Sequence, residues 1–496
     1  MNERERPVRP WRRFGEGATM GIVALLAILV SPRARAENET LARAVVPRVP
    51  LHLHTSPNGL EVVVYENHAV PLVTIEIAFR NGAMTEPPSY SGVSHLYEHM
   101  FFKANARYPS QEAYMARANE LGIVFNGTTG TERVNYYFTT TANHFDDAME
   151  FMRDAVTSPT FDPDELDRER KVVIGEMDRA ESQPTYAFSR ELTNLLWYAH
   201  PSRKDALGSR QIVSRATVGM LRTIQRRYYV PNNAVLVVTG DVAAPAVFAA
   251  VDRLYATWTR APDPFLAHPL VAHPPLRETQ VVVEASPRAP AFLGQISWHG
   301  PSLREDELAA TYAADGMATV LAEASSPFQR RLVQAGPCLQ AGFGWYTQRN
   351  VGPINFAFVA EPARAEACTR AVFAELERMA APDYLDRKNL VDAAFRLSLD
   401  KVKERERPSE YAHVLSFWWA SADLGYYQGY IDRVGAVTPA DVNAFMRDYI
   451  VDKPFVLGAF IPSGLAEVGV DEARVRRWAG VDASSDDPGA GARGPK

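Results

Sequence analysis

Cysteine is nearly absent: Cys338 and Cys368 are the two in 496 residues. That excludes a cysteine-held metal cluster and a multi-bridge disulfide framework, and no C-x-x-C motif is present. The pair allows one bridge or none. An excess of one charge is also missing. With 53 Lys and Arg against 59 Asp and Glu, the net charge is −6, which gives no argument for nucleic acid or an anionic membrane surface. Long apolar runs are lacking too. The one that stands out, Ala18 to Val30, holds thirteen mostly apolar residues, short of the roughly 20 that span a bilayer. Histidine is scarce, at 11 residues, so two of them in one short pattern carry weight. What remains, 46% hydrophobic and 23% charged, is an ordinary globular composition.

The apolar run follows a basic segment, Arg4 to Arg13, and precedes Ala34-Arg35-Ala36. Basic, apolar and small-residue segments in that order read as a secretory signal over residues 1–36. The mature chain is then expected to be periplasmic or secreted, where cysteine oxidation is permitted.

A chain of this length is too long for one core and implies two to four domains. The expected class is α/β, in the α+β sense: two similar domains, each a mainly antiparallel sheet packed with helices. The first spans 45–257. Strands are expected over Leu60–Tyr65, Leu72–Phe79, Ile123–Asn126, Arg133–Thr140 and Ala234–Thr239, with a loop from Gly127 to Glu132. Asp162-Pro163-Asp164-Glu165 combines a cap, a proline at the first helical position and an acidic residue at the third, so a helix is expected from there to about Glu181. The proline-rich stretch 258–277 reads as a linker. A second domain over 278–477 repeats the first in rhythm. Thr217 to Leu236 matches Thr438 to Leu457 at an offset of 221 residues. Trp418 and Trp419, with Phe417, are expected in the core of that second domain. Residues 478–496, rich in Gly, Ser and Asp, read as a disordered tail.

The chemistry concentrates at His95-x-x-Glu98-His99. On a helix His95 and His99 stand about 40° apart and Glu98 about 60° to the other side of His95, so all three share one face. Two imidazoles at that spacing can hold a divalent metal, and the carboxylate can act on a water in a remaining position. Such a site takes a third protein ligand. The helix after Asp162 offers Glu169 and Glu176, seven residues apart and on one side. Val172, Val173 and Met177 could anchor that helix in the core. Read alone, the two glutamates fit a solvated face equally well, because Arg168, Arg170 and Lys171 surround the first. His144, His200, His299 and His413 lack partner spacing and read as structural. His52 and His54 alternate on a strand and read the same way.

Taken together, these residues resemble the inverzincin metallopeptidases of the pitrilysin, insulin-degrading and mitochondrial-processing-peptidase type. The second histidine and Glu176 stand 77 residues apart, Met100-Phe101-Phe102-Lys103 continues the motif, and Asn126-Gly127 matches an Asn-Ala pair of the family. Tyr228 to Ala234 and Gly240 to Val242 match the end of the family's first domain. The resemblance covers Leu51 to Ser463. It implies one Zn2+ per chain held by His95, His99 and Glu176, with Glu98 as general base and Glu169 supporting the site. It also implies a peptide substrate added as a strand beside Asn126, Gly127 and Thr128. The two domains would form one half of a clam-shell chamber. In the second domain the family's Arg and Tyr, seven residues apart around a glycine, fall on Leu332 and Leu339. Neither is the required type, so a homologous metal-free subunit is expected to supply the pair, giving a heterodimer; a homodimer is the other form. The expected activity is zinc-dependent endopeptidase. The rival reading is a non-catalytic scaffold or binding subunit of the same fold.

Overall fold

The computed structural model describes residues 50–304 and 307–481. The expected signal segment, residues 1–36, and residues 482–496 of the expected tail lie outside them. Trp478, by contrast, is buried within a helix, Glu472–Ala479, so the ordered fold extends past the expected boundary.

The first sheet has six strands, β1 (His52–Thr55), β2 (Glu61–Glu66), β3 (Leu72–Phe79), β4 (Val124–Thr129), β5 (Val134–Thr141) and β6 (Ala234–Gly240), in the order β1-β2-β6-β3-β5-β4. Helices of the same half include α1 (Val93–Phe101), α2 (Pro163–Glu181) and α3 (Tyr186–Leu196). The second sheet is β7 (Gln280–Ser286), β8 (Phe292–His299), β9 (Gln340–Trp345), β10 (Pro353–Ala360) and β11 (Val456–Pro462), in the order β7-β11-β8-β10-β9.

The two orders are one plan used twice. In each sheet an early strand pairs parallel with the last strand, β2 with β6 and β7 with β11. The remaining pairings are antiparallel. The expected repeat shows in the caps as well. Thr217 accepts from Met220 N, and Thr438 accepts from Asp441 N. Each starts the helix that leads into the last strand of its sheet.

Two elements differ from expectation. Gly127 to Thr129 is strand, because β5 pairs with β4 as far as Thr129 opposite Val134. Glycine and threonine at a sheet edge give a weak strand signal, and pairing decides the outcome. The second difference concerns α4 (Pro408–Ser421). Its Trp419 packs with Val63, Ala78, Val235 and Val237 of the first sheet, and Arg80 lies 3.8 Å over its ring. The helix therefore belongs to the second half in sequence and covers the first half's sheet. The two cysteines form a disulfide, tying the approach to β9 to the helix Ala365–Met379.

A polar cluster sits inside that apolar contact. Glu76, fully buried in β3, binds His413 and Ser416 of α4. Arg133 completes it, donating to His413 O at 2.8 Å and Ser416 Oγ at 2.6 Å. Burial pulls the His413 imidazole down, but the hydrogen bond and charge of Glu76 outweigh it and the net shift is upward. A raised histidine stabilises the fold fully below the unfolded value of about 6.5 and loses that contribution as pH rises through the folded value. Protection of residues 408–421 from hydrogen exchange is thus expected to fall as pH rises through that window. His413→Ala should flatten this dependence and cost about 3 kcal/mol in urea unfolding at pH 6, since it leaves Glu76 with fewer partners.

Candidate active site

Helix α1 is nine residues long and two-faced. Val93, Leu96, Tyr97, Met100 and Phe101 are fully buried in the first core. His95, Glu98 and His99 occupy the other face at intermediate exposure. Gly92 precedes the helix at φ +94°, a left-handed conformation suited to glycine, and brings no capping side chain. Glu86 takes over that task. Its carboxylate accepts from Gly92 N at 2.8 Å and Ser94 N at 2.5 Å, satisfying two of the donors a helix start leaves open.

Helix α2 begins as expected, with Asp162 accepting from Glu165 N and Pro163 in the first turn. Leu166, Val173 and Met177 anchor it in the core. Val172, expected among the anchors, is 47% exposed instead. Glu169 is buried and Glu176 partly open, and both face α1.

His95 Nε2 and His99 Nε2 lie 3.5 Å and 3.7 Å from the same atom, Glu176 Oε2. His95, His99 and Glu176 each offer one atom within 4.8 Å of the others, and no further group of this kind occurs among the described residues. Tetrahedral ligands about 2.1 Å from a zinc ion stand about 3.4 Å apart, so the donor set fits that metal. A side chain of α2 holds the His99 ring. Glu169 Oε2 lies 2.9 Å from His99 Nδ1, and Lys103 Nζ lies 2.6 Å from Glu169. With Nδ1–H donating to Glu169, His99 keeps the lone pair on Nε2. Burial, then the neighbouring His99, pushes His95 down to about 4, so it stays neutral. Its Nδ1 is buried without a hydrogen-bond partner.

Glu98 lies beside this group. Burial raises its carboxyl, and the Thr129 hydroxyl, donating to Oε2 at 2.5 Å, partly offsets the rise. A Cβ on Gly127 would stand 2.8 Å from Glu98 Cγ, so only glycine leaves the side chain where it is. Of the expected substrate positions, Gly127 thus faces Glu98. Asn126 and Thr128 alternate with it on the opposite, exposed face of β4. In the second half, Leu332 is buried in the core and Leu339 is exposed. Arg331, nearby, is held by Glu375.

Glu86, Lys103 and Thr129 contribute to the site without having been expected there. Lys103 stands in the motif's continuation, but the sequence shows no partner for it. Thr129 falls in an expected loop, and Glu86 carries no local signal.

The model for the family described as Insulinase (Peptidase family M16) matches residues 61–208, and that for the Peptidase M16 inactive domain matches 215–393. The chain belongs to the insulinase family of peptidases. Among curated relatives, the zinc protease PqqE of Helicobacter pylori is 22% identical, covering 80% of this chain and 90% of that one. The uncharacterized zinc protease YmxG of Bacillus subtilis is 28% identical, covering 38% of this chain and 46% of that one. This chain therefore spans about half the length of YmxG. A protease structure from H. pylori superposes with TM-score 0.74 at 20% identity, covering 84% of this chain and all of that one. The periplasmic protease PqqL of Escherichia coli gives 0.71 at 15%, covering 91% of this chain and 52% of that one. These likenesses show a shared fold of two helix-packed sheets.

Glu86 generates a test of its own. Burial pushes it up to about 7, from an ordinary value of 4.5. A carboxyl raised in the fold binds its proton more tightly there than in the unfolded chain, so stability falls as pH rises from about 4.5 to about 7 and is level above. Urea midpoints of wild type and Glu86→Gln at pH 5 and pH 8 should show this slope in wild type and its loss in the variant.

Proposed function

We propose that this chain is a zinc-dependent endopeptidase that hydrolyses peptides or unfolded polypeptides outside the cytoplasm, with a homologous subunit completing its chamber. The observation that carries the reading is the convergence of His95 Nε2 and His99 Nε2 on Glu176 Oε2 with Glu98 alongside. His95, His99 and Glu176 would hold the zinc. When bound, zinc polarises a peptide carbonyl and makes water acidic enough to attack at neutral pH.

The other steps belong to side chains. Glu98 accepts the proton of the attacking water on Oε1, since Oε2 is engaged by Thr129, and passes it to the leaving amine. Glu169 keeps the His99 ring in place, and Lys103 neutralises Glu169. The open edge of β4, at Asn126, Gly127 and Thr128, offers main-chain groups to an added strand. A partner is supported by the absence of the family's Arg/Tyr pair at Leu332 and Leu339. It is supported too by the extent of PqqL, of which this chain covers 52%. An oxidising compartment is supported by the Cys338–Cys368 bridge.

The scaffold reading makes the opposite forecast for wild type, which would then have no cleavage to lose. Glu98→Gln is expected to keep one zinc per chain by elemental analysis and to lose peptide cleavage by at least about a hundredfold. Bound zinc in wild type without cleavage of any library peptide, candidate partners included, would establish the scaffold instead.

A further inference from the structure

Residues directly opposite one another in a sheet share a face, and successive residues alternate. On β4, Phe125, Gly127 and Thr129 face α1. Phe125 stacks on Phe102, and Thr129 bonds Glu98. Val124, Asn126 and Thr128 face the other way and are exposed. Tyr137, opposite Asn126, marks where that face points: its ring lies 4.4 Å from His413 of α4. At the C-terminal end of this face is a cavity of about 100 Å³. Thr128 and Thr131 line it from the first half, and Tyr346 and Phe417 from the second.

We infer that this cavity is a specificity subsite for an uncharged aromatic or branched aliphatic side chain of a substrate residue flanking the scissile bond. The inference rests on the peptidase reading for its strand-addition geometry. Glu98 lies against Gly127 and Thr129, so the bond it serves lies beside these residues. The substrate residue opposite Thr128 falls between those opposite Gly127 and Thr129 and points to the other face, into the cavity. The walls select against a negative charge. Tyr346 and Phe417 form an aromatic pair with centroids 6.1 Å apart. The two charged lining groups are already partnered. Glu132 accepts from Arg349 N and from Asn350 N and Nδ2, and Arg133 is held by α4. An anionic side chain would lose its water beside the Glu132 carboxylate and find Arg133 already engaged.

The test uses peptides that differ only at the residues flanking the scissile bond, carrying Phe, Leu, Ala or Asp there. Their binding to the full chain in a Glu98→Gln background is read by fluorescence anisotropy, and cleavage by the Glu98 form is read separately. The Phe or Leu peptide is expected to bind at least tenfold tighter than the Asp peptide at one of these positions. Tyr346→Ala should reduce that ratio fivefold or more; this residue is 52% exposed, so its loss leaves the core intact. Phe417→Trp, which fills the cavity, should shift preference from Phe toward Ala. Equal binding of all four peptides, or an unchanged ratio in both variants, overturns the subsite whether or not cleavage occurs. Absent cleavage with the binding preference intact overturns the peptidase reading alone.

Discussion

Everything at the site depends on a short helix having two incompatible faces. Five fully buried side chains of α1 fix its position and rotation in the first core. A rotation of one residue, about 100°, would carry His95 into that core and lift Leu96 out. The arrangement of His95, Glu98 and His99 therefore needs no rigid loop. It is inherited from apolar packing, with Glu86 setting where the helix begins. Helix α2 repeats the device: Val173 and Met177 go inward, and Glu169 and Glu176 meet the two imidazoles.

Much of this is legible in the sequence, because periodicity and caps are local. The shared face of His95, Glu98 and His99 on α1, the Asp162 cap and the recurring strand plan are patterns of this kind. The choice of Glu176 over a solvated face needs more than spacing, and comes from the resemblance. What stays hidden is tertiary. Phe417, Trp418 and Trp419 announce burial but not their neighbour, and the sheet that α4 covers lies more than 150 residues earlier in the chain. Glu86 and Gly92 are bound across a turn that carries no recognisable signature. Gly127-Thr128-Thr129 is strand because β5 is there to pair with it.

The two sheets share a plan but not a task. The first places an edge strand, β4, beside the helix that carries His95, Glu98 and His99. The second places β9 at the corresponding edge. The second half uses the helix α4 as a brace for its neighbour. Duplication has thus yielded a site in one half and support for that site in the other.

The turn joining β4 to β5 shows how deep this division goes. Glu132 and Arg133, adjacent in sequence, are each fastened to the second half, one to the backbone at 349–350 and the other to α4. The loop that aims the edge strand is thus held from outside its own sheet. Removing or loosening the second half would leave His95, His99 and Glu176 in the chain. It would also release the edge of β4, so under the proposed function the holding of metal and the addition of a peptide strand would be lost separately.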